Sequence, residues 1–578
     1  MFNRWKKIKP YLLNKIAPTA GGGLPGSGVN PTVAFFLTVG KAIFDFFTSK
    51  AVQTGLFVIQ GVTAHRAAMK AKGRGADILL QKYGTGKGMP VIYGTRRVGS
   101  TVVYMETINN KELFVVYALA GHEIDGFNLE SIHLDGRTIN DSTIYRQGYV
   151  VSDGTNRVSS NGSTVTRASG NFYGSTTAEI NNILGGANTG DNPRMVFNLH
   201  KGTTAQAADP MLVGCISSWT SSHKLTGITY VAANFEYDTR GMFTGIPNLT
   251  LVVRGKKVLD TRTSSTAHSN NPALCLLDYL QNDDYGKGIA TAQIDTASFS
   301  AAANDCDVST STINHTSVSV QAANTASDVV RIAPASEASY NKFKVGNTFT
   351  VSDGSTTFIN AKKLIDKDTT LIDIDGSSPV AILELTFEDG AVDTAITTTT
   401  ACTFAEAEKR FLCDGVIDTD ESVLENTKLL VANMRGIFTY SNGKYSIKVE
   451  GTESSVLSLD EDDILESGIT LALENKEAKF NKVEAEFFNA QKRYVTDTVY
   501  YTGESSDNFL SDDGNEVLET RIQLPFVTNQ RIAYNHAKAL LKRSRAQKTI
   551  SFVATPKVLK ANIGEVISVT SNNLDLSS

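Results

Sequence analysis

The hydrophobic period of the chain changes along its length. Residues 32–64, "TVAFFLTVGKAIFDFFTSKAVQTGLFVIQGVTA", are its most apolar stretch, interrupted by Lys41, Asp45 and Lys50. Residues 51–81, with the Ala-rich "HRAAMKAKGRGADILLQKYG", read as helical. From Pro90 the apolar runs shorten. "MPVIYGTRRVGSTVVYMETINNKELFVVYALAGHEIDGFNLESIHLDGRTI" is a series of strands punctuated by Asn-Asn, Ala-Gly and Asp-Gly turns. "GITYVAANFEYD" and "LTLVVRGKKVLD" continue it.

Three segments instead carry helical spacing. In "NNPALCLLDYLQNDDYGKG", Asn271 is a candidate N-cap and Pro272 suits the first helical position, where a missing N–H costs nothing. Leu274, Leu277 and Leu280 recur every three residues with Leu276 beside them, and Gly286 and Gly288 end the helix. "ESVLENTKLLVANMRG" predicts a second helix, feeding a hairpin that turns at Asn442-Gly443. "TNQRIAYNHAKALLKRSRAQ" predicts a third over 528–546. Its expected cap is Thr528, with Ala533, Ala537, Leu540 and Leu541 inward and Lys538, Lys542 and Arg545 on a basic outer face.

The expected fold is therefore mainly β with short helices, of the α+β class, in several domains. Residues 1–80 form a basic, apolar, partly helical N-terminal arm, with a flexible linker at 18–30. Residues 81–140 and 208–265 form β domains, and the Ser/Gly/Thr/Asn-rich 141–207 an exposed insertion between them. Residues 266–306 and 402–455 form a helix-containing domain, interrupted by an inserted β module at 307–401. Residues 456–578 form a C-terminal β domain. At ~150 residues per domain, the 578-residue length allows for this number.

Composition narrows the function. Apolar content of 41 % and charged content of 20 % are those of ordinary globular protein. Five scattered cysteines without a C-x-x-C read as small buried residues, not a disulfide or zinc framework. The net charge of −5 hides an asymmetry, because residues 1–76 hold eleven Lys and Arg against Asp45 alone. A whole-chain nucleic-acid binder would not show this distribution, whereas a basic N-terminal arm would. No uncharged run reaches the ~18 residues of a spanning helix. Pro10 and a Gly-rich loop break the pattern of a cleaved signal peptide. The arm reads either as helices buried against protein or as a segment that meets lipid or lines a channel.

Motifs that mimic chemistry fail on context. Gly21 to Gly26 satisfy G-x-G-x-x-G, but no strand precedes them and Pro25 sits inside. "GTGKG" at 84–88 has Gln81 and Gly88 where a phosphate loop needs Gly and Ser/Thr. "DIDG" at 373–376 and "DEDD" at 460–463 do not extend into a calcium loop. His122 and His536 read as structural. No nucleophile, base and oxyanion site assemble, so no catalytic, cofactor or metal residues are expected.

The residues 270–288 resemble the Asn-x-Ala-x-Cys-Leu-x-Asp-x-Leu and Tyr-Gly-x-Gly signature of phage tail-tip hub proteins, the family of the lambda host-specificity protein J and related siphophage hubs. Segments from about residue 89 to 570 are similar to this family in the same order. The resemblance implies a structural virion protein at the distal end of the tail, a homotrimer with β-barrel-like ring domains that caps the tail tube. It implies as partners the distal tail protein ring, the C-terminus of the tape-measure protein, and tail fibres or a receptor-binding protein. DNA would pass through the lumen without specific binding. Pro272, Leu274, Leu277, Leu280, Tyr285 and Gly286 would form a packing helix docked on a sheet, with Tyr285-Gly286 turning the chain into the next domain. The two insertions would face outward and contact fibres or host. Phe35, Phe36, Phe44, Phe46 and Phe47 of the arm would point inward, against partner copies or the tape measure. The family continues past the strand near residue 570, so receptor reading would lie beyond 578 or in another protein. Two other readings stand: a tail-spike-like glycan-binding or glycan-cleaving protein, and a membrane-penetrating tip protein.

Overall fold

The computed structural model describes most residues from 88 to 570, together with 57–59 and 82–83. Residues 1–56, 60–81, 84–87, 140–148, 160–194, 237–244, 322–327, 333–342, 373–379, 571–578 and shorter loop segments lie outside the described residues. The chain is mainly β and divides into two compact units. Among the described residues, one holds 82–83, 88–270 and 414–426, and the other 57–59, 271–413 and 427–570.

The first unit is built on a seven-stranded sheet. Its order is Arg157–Ser159, Tyr149–Ser152, Met195–His200, Thr229–Glu236, Glu112–Ala120, Thr101–Ile108 and Lys82–Tyr83. The run "ELFVVYALA" is apolar without alternation because both of its faces are covered. Val115, Tyr117 and Leu119 face a core shared with Val98, Leu249, Leu251 and Val253 of a second, five-stranded sheet. Phe114 and Val116 face the opposite way, under Met211, Leu212, Ile216 and Trp219. Those four residues come from helix α1 (Pro210–Cys215) and the turns after it.

The stretch 141–207 is therefore not simply an exposed insertion. Val151, Met195, Val196 and Phe197 are buried in the central sheet. Two short strands are diluted by the polar residues between them, so regional composition conceals them.

The second unit opens with helix α2 (Pro272–Gln281) and helix α3 (Thr296–Asp307). Next come six strands that close a barrel: β1 (Ser309–Val320), β2 (Val329–Ile332), β3 (Thr348–Ser352), β4 (Thr357–Ile372), β5 (Val380–Phe387) and β6 (Thr400–Lys409). Their order is β1-β2-β5-β4-β3-β6, with β6 paired back to β1. Phe343, Phe349, Phe387 and Phe404 fill it. The barrel runs to Lys409, whereas the sequence placed the end of this module at 401. The strand "TACTFAEAEK" alternates buried and accessible positions throughout, so it cannot be divided at Cys402.

Helix α4 (Val423–Asn433) leads into the hairpin Gly436–Ser441 and Lys444–Val449. Gly443 takes φ +79° at its turn, a conformation that suits glycine. Phe57–Ile59 adds to the hairpin as an antiparallel strand. This corrects the helical reading of 51–81 at those three residues; Phe-Val-Ile is an aromatic and β-branched run that suits a pleat. The rest of the arm lies outside the described residues, as do Phe35, Phe36, Phe44, Phe46 and Phe47.

A three-stranded sheet follows, in the order Val495–Tyr501, Lys482–Asn489 and Glu519–Leu524. The turn after Val495–Tyr501 carries the short helix α5 (Phe509–Asp512). Helix α6 (Gln530–Ala546) lays Ala533, Ala537 and Leu541 on this sheet. Its cap oxygen comes from Asn529, whose Oδ1 accepts from Arg531 N at 2.9 Å. Two strand pairs finish the unit: Leu457–Leu459 with Ile567–Val569, and Ile464–Leu473 with Lys548–Ala554.

Candidate functional site

The candidate packing helix α2 is fixed at both ends by local chemistry. Asn271 Oδ1 accepts from Ala273 N at 3.1 Å and Leu274 N at 3.4 Å, a cap worth ~1 kcal/mol. The same side chain donates from Nδ2 to Ala303 O of α3 at 2.9 Å. One asparagine thus starts one helix and ties it to the next. Pro272, Ala273, Leu274, Cys275, Leu276, Leu277, Tyr279 and Leu280 are all buried. The expected single apolar stripe is in fact an almost fully enclosed helix. Its packing partner is α3, and α3 in turn lies on the strand Lys444–Val449. The sequence placed a sheet directly against the Leu face. Helix α3, with Phe299, Ala302, Ala303 and Cys306 buried, packs against α2.

The C-terminal turn folds back over the helix. Asn282 Oδ1 accepts from Asp284 N at 2.9 Å and Tyr285 N at 3.1 Å. Tyr285 Oη donates to Asp278 Oδ2 at 3.1 Å. Gly286 sits so close to the helix end that an added Cβ would lie 1.7 Å from Tyr279 O. No side chain fits there, which is the physical reason for glycine.

A polar network that sequence reasoning missed lies at one end of the barrel. On β6, Cys402, Phe404, Glu406 and Glu408 point inward, and both acids are buried. Glu406 Oε2 meets His315 Nε2 at 2.8 Å. Asn347 Nδ2 donates to Glu406 Oε1 at 2.5 Å and to Glu408 Oε1 at 3.2 Å. Glu408 Oε2 pairs with Arg531 Nη1 at 2.7 Å. Asn529 Nδ2 donates to Asn347 Oδ1 at 2.9 Å. Two carboxylates thus share one amide, and the cap of α6 is joined to the barrel wall. The sequence did hold a signal: in "FAEAEK", both glutamates fall on the apolar phase of the alternation.

In the first unit, the buried Asp209 caps α1 through Leu212 N at 2.9 Å. Its other oxygen accepts from Asn198 Nδ2 at 2.9 Å and His200 Nε2 at 2.8 Å. His200 stacks on Tyr230 at 4.3 Å, and burial holds the Tyr230 phenol well above its usual range. An Asp–His pair is half of a hydrolase site, but this carboxylate is committed to a helix cap. The two histidines singled out by sequence are enclosed. His122 Nε2 accepts from Ile92 N at 2.9 Å, and His536 packs on Phe411 at 5.6 Å. The acids at 460–463 form a capping box, with Asp463 bound to Lys557 at 2.5 Å. Gly88 N donates to Asp420 Oδ1 at 2.8 Å, while Gly21 to Gly26 and "DIDG" lie outside the described residues. None of the five cysteines forms a disulfide.

Arg545, expected on the solvent face of α6, instead binds Asp513 at 3.1 and 2.5 Å. Lys479 Nζ at 2.8 Å and Asn481 Nδ2 at 2.9 Å complete the cluster. Hydrogen bonding from Arg545 holds the Asp513 carboxyl well below the usual carboxylate range. The unfolded chain takes up this proton near pH 4 and the folded chain only at lower pH. The stabilisation is therefore complete at neutral pH and is lost as pH falls through the folded value. Asp513→Asn should cost about 2 kcal/mol at pH 7. In urea titrations the gap from wild type should narrow at pH 3; a gap that does not change with pH would contradict this assignment.

The comparisons with known proteins follow this geometry. Residues 422–576, from α4 through the last strand pair, match a family model described as a putative phage tail protein. Over 515 residues the chain is 21 % identical to the baseplate hub protein pb3 of Escherichia phage T5, covering 84 % of this chain and 44 % of that relative. The chain thus spans less than half the length of this relative. Among solved structures it resembles a chain of the virion of a native gene transfer agent particle at 11 % identity and a TM-score of 0.42, covering 94 % of this chain and 91 % of that one. It also resembles a 43 kDa tail protein of prophage MuSo2 from Shewanella oneidensis at 13 % identity and a TM-score of 0.19, covering 46 % and 85 %. The family match and the hub relative together support reading the chain as a phage tail protein of the hub kind, a structural component of the virion tail.

Proposed function

We propose that the chain is the scaffold of the central hub at the distal end of the tail. Three copies form a ring that caps the tail tube beneath the ring of the distal tail protein. The ring holds the C-terminus of the tape-measure protein and carries fibres or a receptor-binding protein. It opens for DNA ejection, and DNA crosses its lumen without specific binding. In this reading the chain has no catalytic role. The observation that carries it is relatedness to a hub protein along 84 % of the chain. The charge distribution agrees with it: an acidic body does not grip phosphate. The barrel is read as an outward module for fibre contacts, since a closed sheet exposes no pairing edge. Helix α2 is read as the packing joint.

A glycan-cleaving tail spike needs two acids open to a groove. Glu406 and Glu408 are a close pair, but both are buried and held by His315, Asn347 and Arg531. That arrangement favours the structural reading. Chemical crosslinking of intact tails should join this chain to itself and to its neighbours at the end of the tube. Its absence from purified tails, or turnover of host polysaccharide by the purified chain, would overturn the proposal.

A further inference from the structure

Three arginines of the second unit gather where four elements meet. Arg410 follows the last barrel strand, β6, and Arg435 lies two residues past α4. Arg543 belongs to α6, and Glu450 directly follows the hairpin strand Lys444–Val449. Arg410 Nη2 donates to Glu450 O, and Glu450 N donates to Arg435 O at 3.3 Å. The Cζ atoms of Arg410 and Arg435 each lie 5.1 Å from the centre of the buried Phe411 ring. Charge is not balanced at this cluster. Among the described residues, the three guanidiniums make one ion pair, Arg543 Nη1 to Glu450 Oε2 at 3.8 Å. Those two side chains are 48 % and 43 % exposed, so the cluster opens to solvent. No acceptor among the described residues meets the Arg435 guanidinium, although its Nε is buried. Burial eases the proton of Arg435 off; Arg410 and Arg543 add to this, and Glu450 opposes it. Arg435 also takes φ +50°, just past a helix end where glycine is the usual residue. The fold thus holds an arginine in a strained conformation and gives it no acceptor. A buried donor without a partner is costly, and an absent ion is one physical reason for it.

We propose that Arg410, Arg435 and Arg543 bind inorganic phosphate as its dianion. Three cations against one carboxylate leave two positive charges to be met. Guanidinium forks arriving from three elements suit a tetrahedral oxyanion, which offers oxygens in several directions. The net charge of −5 on the whole chain disfavours a polyanion such as DNA, so the occupant is small. Bound phosphate ties the exit of the barrel, the end of α4, the hairpin and α6 to one another. The stability of the second unit then rises with phosphate concentration.

The inference stands apart from the ring reading, and its test does not need a tail. Calorimetric titration of inorganic phosphate into the full chain, at pH 8 and constant ionic strength, should show one site per chain. Arg435→Gln should weaken binding about tenfold or more. Glu450→Gln, which removes the competing carboxylate, should tighten it several-fold. In phosphate-free buffer Arg435→Gln should melt no lower than wild type, because it removes a stranded charge. Dimethyl phosphate, a singly charged diester, should bind far more weakly than phosphate. Absence of phosphate binding, or binding that survives Arg435→Gln, would overturn the proposal. So would a lower melting temperature of Arg435→Gln without phosphate, which would make the arginine a structural residue. Equal binding of dimethyl phosphate would assign the cluster to a phosphodiester and overturn it too.

Discussion

Leu277→Asp should remove the chain from assembled tails, while Gln281→Ala should leave assembly unchanged. Leu277 is 2 % exposed in a helix enclosed on nearly every side. An aspartate there has no partner and loses its water, a penalty of roughly 4 kcal/mol or more. Most domains are stable by only about 5–15 kcal/mol, so the loss is a large fraction of the total. Gln281 lies at the helix end and donates to Thr291 Oγ1 at 3.1 Å in an exposed setting, where loss of a hydrogen bond costs about 0.5 kcal/mol. Gly286→Ala should act in the same direction as Leu277→Asp, since its methyl would collide with backbone oxygens of Tyr279 and Asn282. Urea midpoints of the purified variants and the protein content of purified tails measure both effects. If Leu277→Asp assembles as well as Gln281→Ala, α2 is not a packing joint.

Asn347→Leu should destabilise the barrel and helix α6 together, by on the order of 3 kcal/mol. The asparagine donates to both buried carboxylates and accepts from Asn529. Leucine takes away all three partners at once and leaves charge in a site with little water. The coupled variant Asn347→Leu with Glu406→Leu and Glu408→Leu should recover much of that loss, because it also removes the stranded charges. Hydrogen exchange gives the finer readout: protection should fall in β6 and at the start of α6 in the single variant. Loss confined to the barrel would show that the Asn347–Asn529 link carries no coupling.

Elements with local start and stop signals were legible in the sequence. Helix α2 announces itself through Asn271, Pro272, the leucine spacing and the glycines after it. What surrounds a helix is not a local property, so its enclosure on nearly all sides and its packing on α3 were not readable. Helix α3 was missed although Asp295 caps it and Phe299, Ala302, Ala303 and Cys306 share a face. Its alanines and serines give too little apolar contrast for a clear period. The strands Tyr149–Ser152 and Met195–His200 were concealed by the polar sequence between them. Glu406 and Glu408 were passed over because acids usually mark the wet side of a strand. Only the barrel's closure and the approach of Arg531, Asn347 and His315 make a buried position tenable for them. The hub character itself was legible in the order of weak segments along the chain, not in any single motif.

Electron cryo-microscopy of the intact tail tip, with this chain located in the map, tests the central claim most directly. The account predicts three copies around the tail axis at the distal end of the tube, with α2 at a packed joint and the barrel facing outward. One copy, six copies, or a position on a fibre away from the axis would contradict it.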